Sequence, residues 1–76
     1  MAEYDPLLFV AKRKILKLTR EQLAKECKLT QMTIYNIETG KTHVPSTILL
    51  IGLVLDWLAD EQGKLNEFYV LESKQY

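Results

Sequence analysis

Between Thr19 and Gly40 the chain carries two helix starts and one helix stop in quick succession, and nothing else in it constrains the fold as strongly. Thr19-Arg20-Glu21-Gln22 is a capping box: the threonine hydroxyl takes an unpaired backbone N–H of the first turn, and the glutamine side chain reaches back to the threonine N–H. A second cap at Thr30 requires the helix begun at Thr19 to stop near Cys27, leaving Lys28-Leu29 to make a tight turn. The next helix runs from Gln31 to about Thr39, with Ile34 and Ile37 at helical spacing. Gly40 follows where a left-handed residue ends a helix. Two short helices joined by a turn of this length need a small side chain where they cross, which Ala24 supplies. Leu23, Leu29, Ile34 and Ile37 fill the space beneath, leaving Gln31, Met32, Thr33, Tyr35 and Asn36 on the other faces of the third helix.

The flanks read as further helices. Asp5 before Pro6 is an N-cap with proline in the first turn, opening a helix to about Leu16 with Leu8, Ala11 and Ile15 on its apolar stripe. Ser46 caps a fourth helix to about Asp60, which Gly63 ends or breaks. The fourth helix is apolar nearly all round, with Ile48, Leu49, Leu50, Ile51, Leu53, Val54, Leu55, Trp57 and Leu58 about Gly52. The segment after Leu65 contains Phe68, Tyr69, Val70 and Leu71, which suit a strand or a short helix about equally. An all-α domain of four to five helices over residues 5–60 is expected. Residues 61–76 form a tail that packs on it or helps two copies associate.

With 76 residues the chain is one domain. Its 47% hydrophobic and 26% charged residues describe a globular composition. The formal net charge is zero, but its distribution is uneven. Residues 1–45 carry eight lysines and arginines against five acids, a net of +3. Residues 46–76 carry two against five, a net of −3. One half can meet phosphate while the other faces away. The single cysteine, Cys27, reads as a small buried hydrophobe and forms no zinc pattern with the one histidine, His43. A reduced, cytoplasmic setting is expected, with no secretion signal. The apolar stretch from Pro45 to Leu55 is too short to span a bilayer. No nucleophile–base pair, carboxylate dyad, phosphate loop or metal cluster can be assembled, so neither an enzyme nor a cofactor or small-molecule ligand is expected.

The segment Leu18-Thr-Arg-Glu-Gln-Leu-Ala-Lys-Glu-Cys-Lys-Leu-Thr-Gln-Met-Thr-Ile-Tyr-Asn-Ile-Glu-Thr-Gly-Lys41 closely resembles the helix-turn-helix of phage repressors, Cro proteins and related bacterial regulators. The Leu18-Thr19 opening with Leu23-Ala24, and the closing Ile34, Ile37-Glu38 and Gly40-Lys41, are its most specific parts. The likeness covers Phe9 to Pro45 well, Ser46 to Leu58 loosely, and the tail not at all. It implies a lambda-repressor-like fold and a DNA-binding transcriptional regulator, bacterial or phage-encoded, whose third helix enters the major groove. It further implies that Gln31 contacts a base, as a glutamine amide can pair with adenine N6 and N7. Met32 and Thr33 stand where further base contacts are made, thymine methyls among them. Asn36 stands where base edges or phosphate are reached. Arg20, Lys41 and Thr42 stand where the DNA backbone is gripped, and His43 lies in the same loop near phosphate. Arg13 and Glu38 match a buried ion pair tying the first helix to the end of the third. Two departures stand out. Lys28 occupies a turn position usually held by glycine, and no glycine-containing break precedes Asp56-Trp57, so the family's fifth helix is fused, shifted or missing.

Each feature also has a plainer reading. Gln31 and Asn36 are common solvated residues on a bare helix, and Met32 is more often core filler than a reader of bases. The apolar surplus of the fourth helix is either covered by Phe68 and Val70 of the tail or forms a homodimer interface with Leu55, Trp57, Leu58, Phe68 and Val70 as candidates and Gly52 allowing close approach. A second function follows from that surface: a protein-binding antirepressor or antitoxin, with a repressor or toxin as heteromeric partner in place of duplex DNA.

Overall fold

The computed structural model describes residues 5–73, which form five α-helices: α1 Pro6–Ile15, α2 Arg20–Cys27, α3 Gln31–Glu38, α4 Pro45–Gln62 and α5 Leu65–Ser73. Asp5 caps α1 by accepting from the Leu7 N–H at 3.0 Å. At Thr19 both halves of the capping box are present, at 3.1 and 2.8 Å, and Thr30 caps α3 through the Thr33 N–H. The fourth cap differs from expectation. Val44, not Ser46, holds the N-cap position of α4, with no side-chain cap bond. Pro45 has the backbone angle of a first helical residue already set, so the helix starts there and Ser46 falls inside its first turn.

Helices α1 to α4 all end in the same way. A residue in the left-handed region follows each, and the two N–H groups beyond the helix bond back to the last free carbonyls, the Schellman arrangement. The left-handed residues are Lys17 (φ 60), Lys28 (φ 57), Gly40 (φ 77) and Gly63 (φ 69). The paired bonds are Lys17 to Lys14 with Leu18 to Arg13, Lys28 to Lys25 with Leu29 to Ala24, Gly40 to Ile37 with Lys41 to Asn36, and Gly63 to Asp60 with Lys64 to Ala59. Two of these turns are built from the same tripeptide, Lys17-Leu18-Thr19 and Lys28-Leu29-Thr30. The lysine reverses the chain, the leucine packs against the core and the threonine caps the next helix. A lysine here strains the backbone by about 1 kcal/mol relative to glycine. Its charge beside the negative end of a helix offsets about 0.3–1 kcal/mol of that.

The core comprises Phe9, Leu16, Leu23, Ala24, Cys27, Ile34, Ile37, Ile51, Leu55, Ala59 and Phe68. α2 packs on α3, while α1 touches α3, α4 and α5 and so joins the two halves. The buried face of α1 is Phe9, Lys12, Arg13 and Leu16, one position on from the expected stripe of Leu8, Ala11 and Ile15, which is half-buried. Two cations sit on that face, and this hides it from a hydrophobicity reading.

The C-terminal half decides one open alternative and corrects the expected dimer surface. As expected, α4 runs through Gly52 and Asp56 without a break, and of the two readings of the tail the helix is the one observed. Phe68 on α5 is 1% exposed and Leu55 on α4 is fully buried. Both belong to the core of this chain and are unavailable to a second copy. Gly52 faces the chain's own α1: a Cβ there would meet Phe9 at 3.9 Å, ordinary contact. Leu58 is half-buried, while Trp57 and Val70 remain exposed. No helix among the described residues is long and apolar enough to cross a membrane.

Candidate nucleic-acid interface

α3 is eight residues long, and burying Ile34, Ile37 and Glu38 uses one side of it. Its first turn therefore faces outward. Gln31 and Met32 are exposed, Met32 to 64%, and Thr33, Tyr35 and Asn36 are half-buried. An apolar side chain as open as Met32 adds nothing to the core. The Thr33 hydroxyl lies 2.8 Å from that of Thr30 and belongs to the cap. Gln31, Met32, Tyr35 and Arg20 together line a surface groove of about 340 Å³.

The loop after α3 is pinned to the helix end. The carbonyl of Asn36 accepts from the Lys41 N–H at 2.9 Å and the Thr42 N–H at 3.4 Å, and the Thr39 hydroxyl donates to the Tyr35 carbonyl at 2.8 Å. Lys41, Thr42 and His43 are exposed on this loop.

Beneath the surface, Glu38 accepts three charged hydrogen bonds. Arg13 Nε donates to its Oε2 at 2.6 Å, Arg13 Nη2 to its Oε1 at 3.2 Å, and Arg20 Nε to its Oε1 at 2.9 Å. Arg13 Nη1 donates to the Leu18 carbonyl at 2.9 Å, so the same side chain also holds the turn before α2. One carboxylate between two guanidiniums leaves one positive charge over, and Arg20, 38% exposed, carries it toward solvent. The Arg20 guanidinium lies 5.1 Å, and the Lys41 ammonium 5.2 Å, from the centre of the Tyr35 ring.

Two structural features lay beyond the sequence reading. Tyr35 carries no assigned role there, because its importance depends on where the loop returns Lys41. Lys12, counted there among the cations of a basic half, is buried and turns away from α3. Its Nζ donates to Glu72 Oε2 at 2.6 Å, lies 4.0 Å from Asp56 and sits 5.1 Å from the centre of the Phe68 ring. The spacing of Phe9, Lys12 and Leu16 is the signal that could have found it. With Lys12 and Arg13 paired inside, Lys14, Lys17, Lys25, Lys28 and Lys41 are the exposed cations of the first half, with Arg20 partly so.

Cys27 is buried at the C-terminal end of α2. Loss of solvent, and secondarily the Glu26 charge, push its thiol from about 9.0 up to about 11, so it is a neutral packing group at physiological pH.

The family model described as helix-turn-helix matches residues 11–52, which takes in α2, α3 and the first part of α4 and leaves α5 outside. No curated protein and no solved structure gives a significant match. The match spans more than half of the chain and coincides with the capped helix pair, so the protein belongs to the lambda-repressor-like helix-turn-helix family of DNA-binding regulators.

Proposed function

We propose that this protein is a sequence-specific regulator of repressor or Cro type that reads double-stranded DNA with the N-terminal end of α3 in the major groove. The observation that carries this reading is the first turn of α3, where Gln31 and Met32 stand exposed in one groove with Arg20 and Tyr35, and the Lys41 ammonium lies over the Tyr35 ring. An amide suited to adenine and an apolar tip suited to a thymine methyl thus share one surface with cations suited to phosphate, which supports the reading. Asn36 and Thr33 flank them, with Thr42 and His43 beside Lys41. Selection from a random duplex pool tests it. Gln31→Ala should lose about 1–3 kcal/mol and relax preference at one base pair. Lys41→Ala should weaken all sequences alike and reduce the salt slope by about one. A pool from which nothing is enriched would sink the proposal.

A homodimer completes it. One module this small buries little DNA surface, and two related by a two-fold axis read half-sites about 34 Å apart. Leu49, Leu53 and Trp57 recur every fourth residue on α4 and are 63%, 58% and 53% exposed. This ridge, with Val70 of α5, is the surface the dimer would use. Sedimentation at micromolar concentration decides between partners. A concentration-dependent dimer supports self-association, and a strict monomer, on or off DNA, removes the homodimer and favours a heteromeric partner such as a toxin or repressor.

A further inference from the structure

Two cations that meet at Tyr35, a lining residue of the groove, come from opposite ends of the helix-turn-helix. Arg20 begins α2 and Lys41 follows α3, yet both lie over the ring of Tyr35, at 5.1 and 5.2 Å from its centre. Both distances fall inside the roughly 6 Å within which the negative face of an aromatic ring attracts a cation. Long cationic side chains lose rotamer freedom when they close on phosphate, and a side chain already held in the unbound protein has less to lose. Arg20 has a second tether in Glu38. For the Lys41 ammonium, the ring is the contact that the described residues provide.

We propose that Tyr35 is the positioning residue of the interface: its ring presets Arg20 and Lys41 for the DNA backbone before DNA arrives. The proposal rests on the DNA-binding reading above and adds a residue and a direction to it. Because Arg20 keeps Glu38, Lys41 is the partner that depends more on the ring. The side-chain hydroxyl of Tyr35 plays no part.

Anisotropy titrations with a fluorescent duplex at several salt concentrations test this, using wild type, Tyr35→Phe and Tyr35→Leu, each checked for thermal unfolding. Tyr35→Leu should weaken binding about five- to thirtyfold on every sequence and flatten the salt dependence. Tyr35→Phe, which keeps the ring, should stay within about twofold of wild type. Lys41→Ala should lose less affinity in the Tyr35→Leu background than in wild type, since the ring's effect passes through it. Proton NMR of the unbound protein gives a measure independent of DNA. The Lys41 ε-methylene should be shifted upfield by the ring in wild type and Tyr35→Phe, and return to its random-coil position in Tyr35→Leu. A random-coil position in wild type overturns the proposal even where Tyr35→Leu fails to fold. A folded Tyr35→Leu that binds with wild-type affinity and salt slope overturns it and leaves the DNA-binding reading standing. A wild type without salt-dependent affinity for duplex DNA overturns both.

Discussion

Lys12 and Arg13 are chain neighbours on α1, both buried and both paired, and they face opposite halves of the molecule. Arg13 reaches into the helix-turn-helix, where Glu38 is 2% exposed. Lys12 reaches toward α4 and α5, where Glu72 is 43% and Asp56 56% exposed. The cations are alike in burial, at 10% and 7% exposure, so the difference lies in what each would leave behind. Without Arg13, a carboxylate with no access to water keeps only Arg20. Without Lys12, two carboxylates simply hydrate. The cost of breaking an ion pair is set by the burial of the partner that remains.

Four measurements sharpen or break that contrast. Arg13→Ala should lose about 3–5 kcal/mol in urea unfolding, the stranded Glu38 being the cause. The double replacement Arg13→Met with Glu38→Leu should lose distinctly less than Arg13→Ala alone, because no charge is left buried. Equal losses would mean that Arg13 acts through its bond to the Leu18 carbonyl instead. Lys12→Met should change stability by no more than about 1 kcal/mol, since methionine fits the same slot and the freed acids meet water. A loss matching that of Arg13→Ala would end the contrast. The smallest effect is that of salt: at 1 M the difference between wild type and Lys12→Met should shrink, while the Arg13→Ala difference persists, because screening reaches the half-exposed pair and not the buried one.

Legibility in the sequence followed the distance between cause and effect. The caps at Asp5, Thr19 and Thr30 and the stop at Gly63 are readable because donor and acceptor lie within a few residues. The start of α4 was misplaced by one such rule competing with another, Pro45 against Ser46. The tail was ambiguous because Phe68, Tyr69, Val70 and Leu71 are a run too short to show a period, and docking of Phe68 between α1 and α4 decides it. For Lys12 the spacing with Phe9 and Leu16 signals burial, but not the pairing, because its main partner, Glu72, lies sixty residues away. In the candidate site, the exposure of Gln31 and Met32 followed from helical spacing once Ile34 and Ile37 were placed inside. The Arg13–Glu38 pair was legible only through the family resemblance, while the bond of Arg20 to the same Glu38, and the ring shared by Arg20 and Lys41, required three separate segments to be positioned first.

The left-handed lysines at 17 and 28 tie heat tolerance to the medium. Their conformational strain, about 1 kcal/mol each, is independent of ionic strength, whereas the compensation from a cation beside a helix end is screened by salt. In dilute solution the charge offsets about a third to all of the strain at these turns. In brine the compensation fades, and Lys17→Gly and Lys28→Gly should each raise the melting temperature. A lineage of this fold living in concentrated salt would therefore be expected to exchange the same two residues for glycine, at positions that neither the core nor the groove of α3 uses.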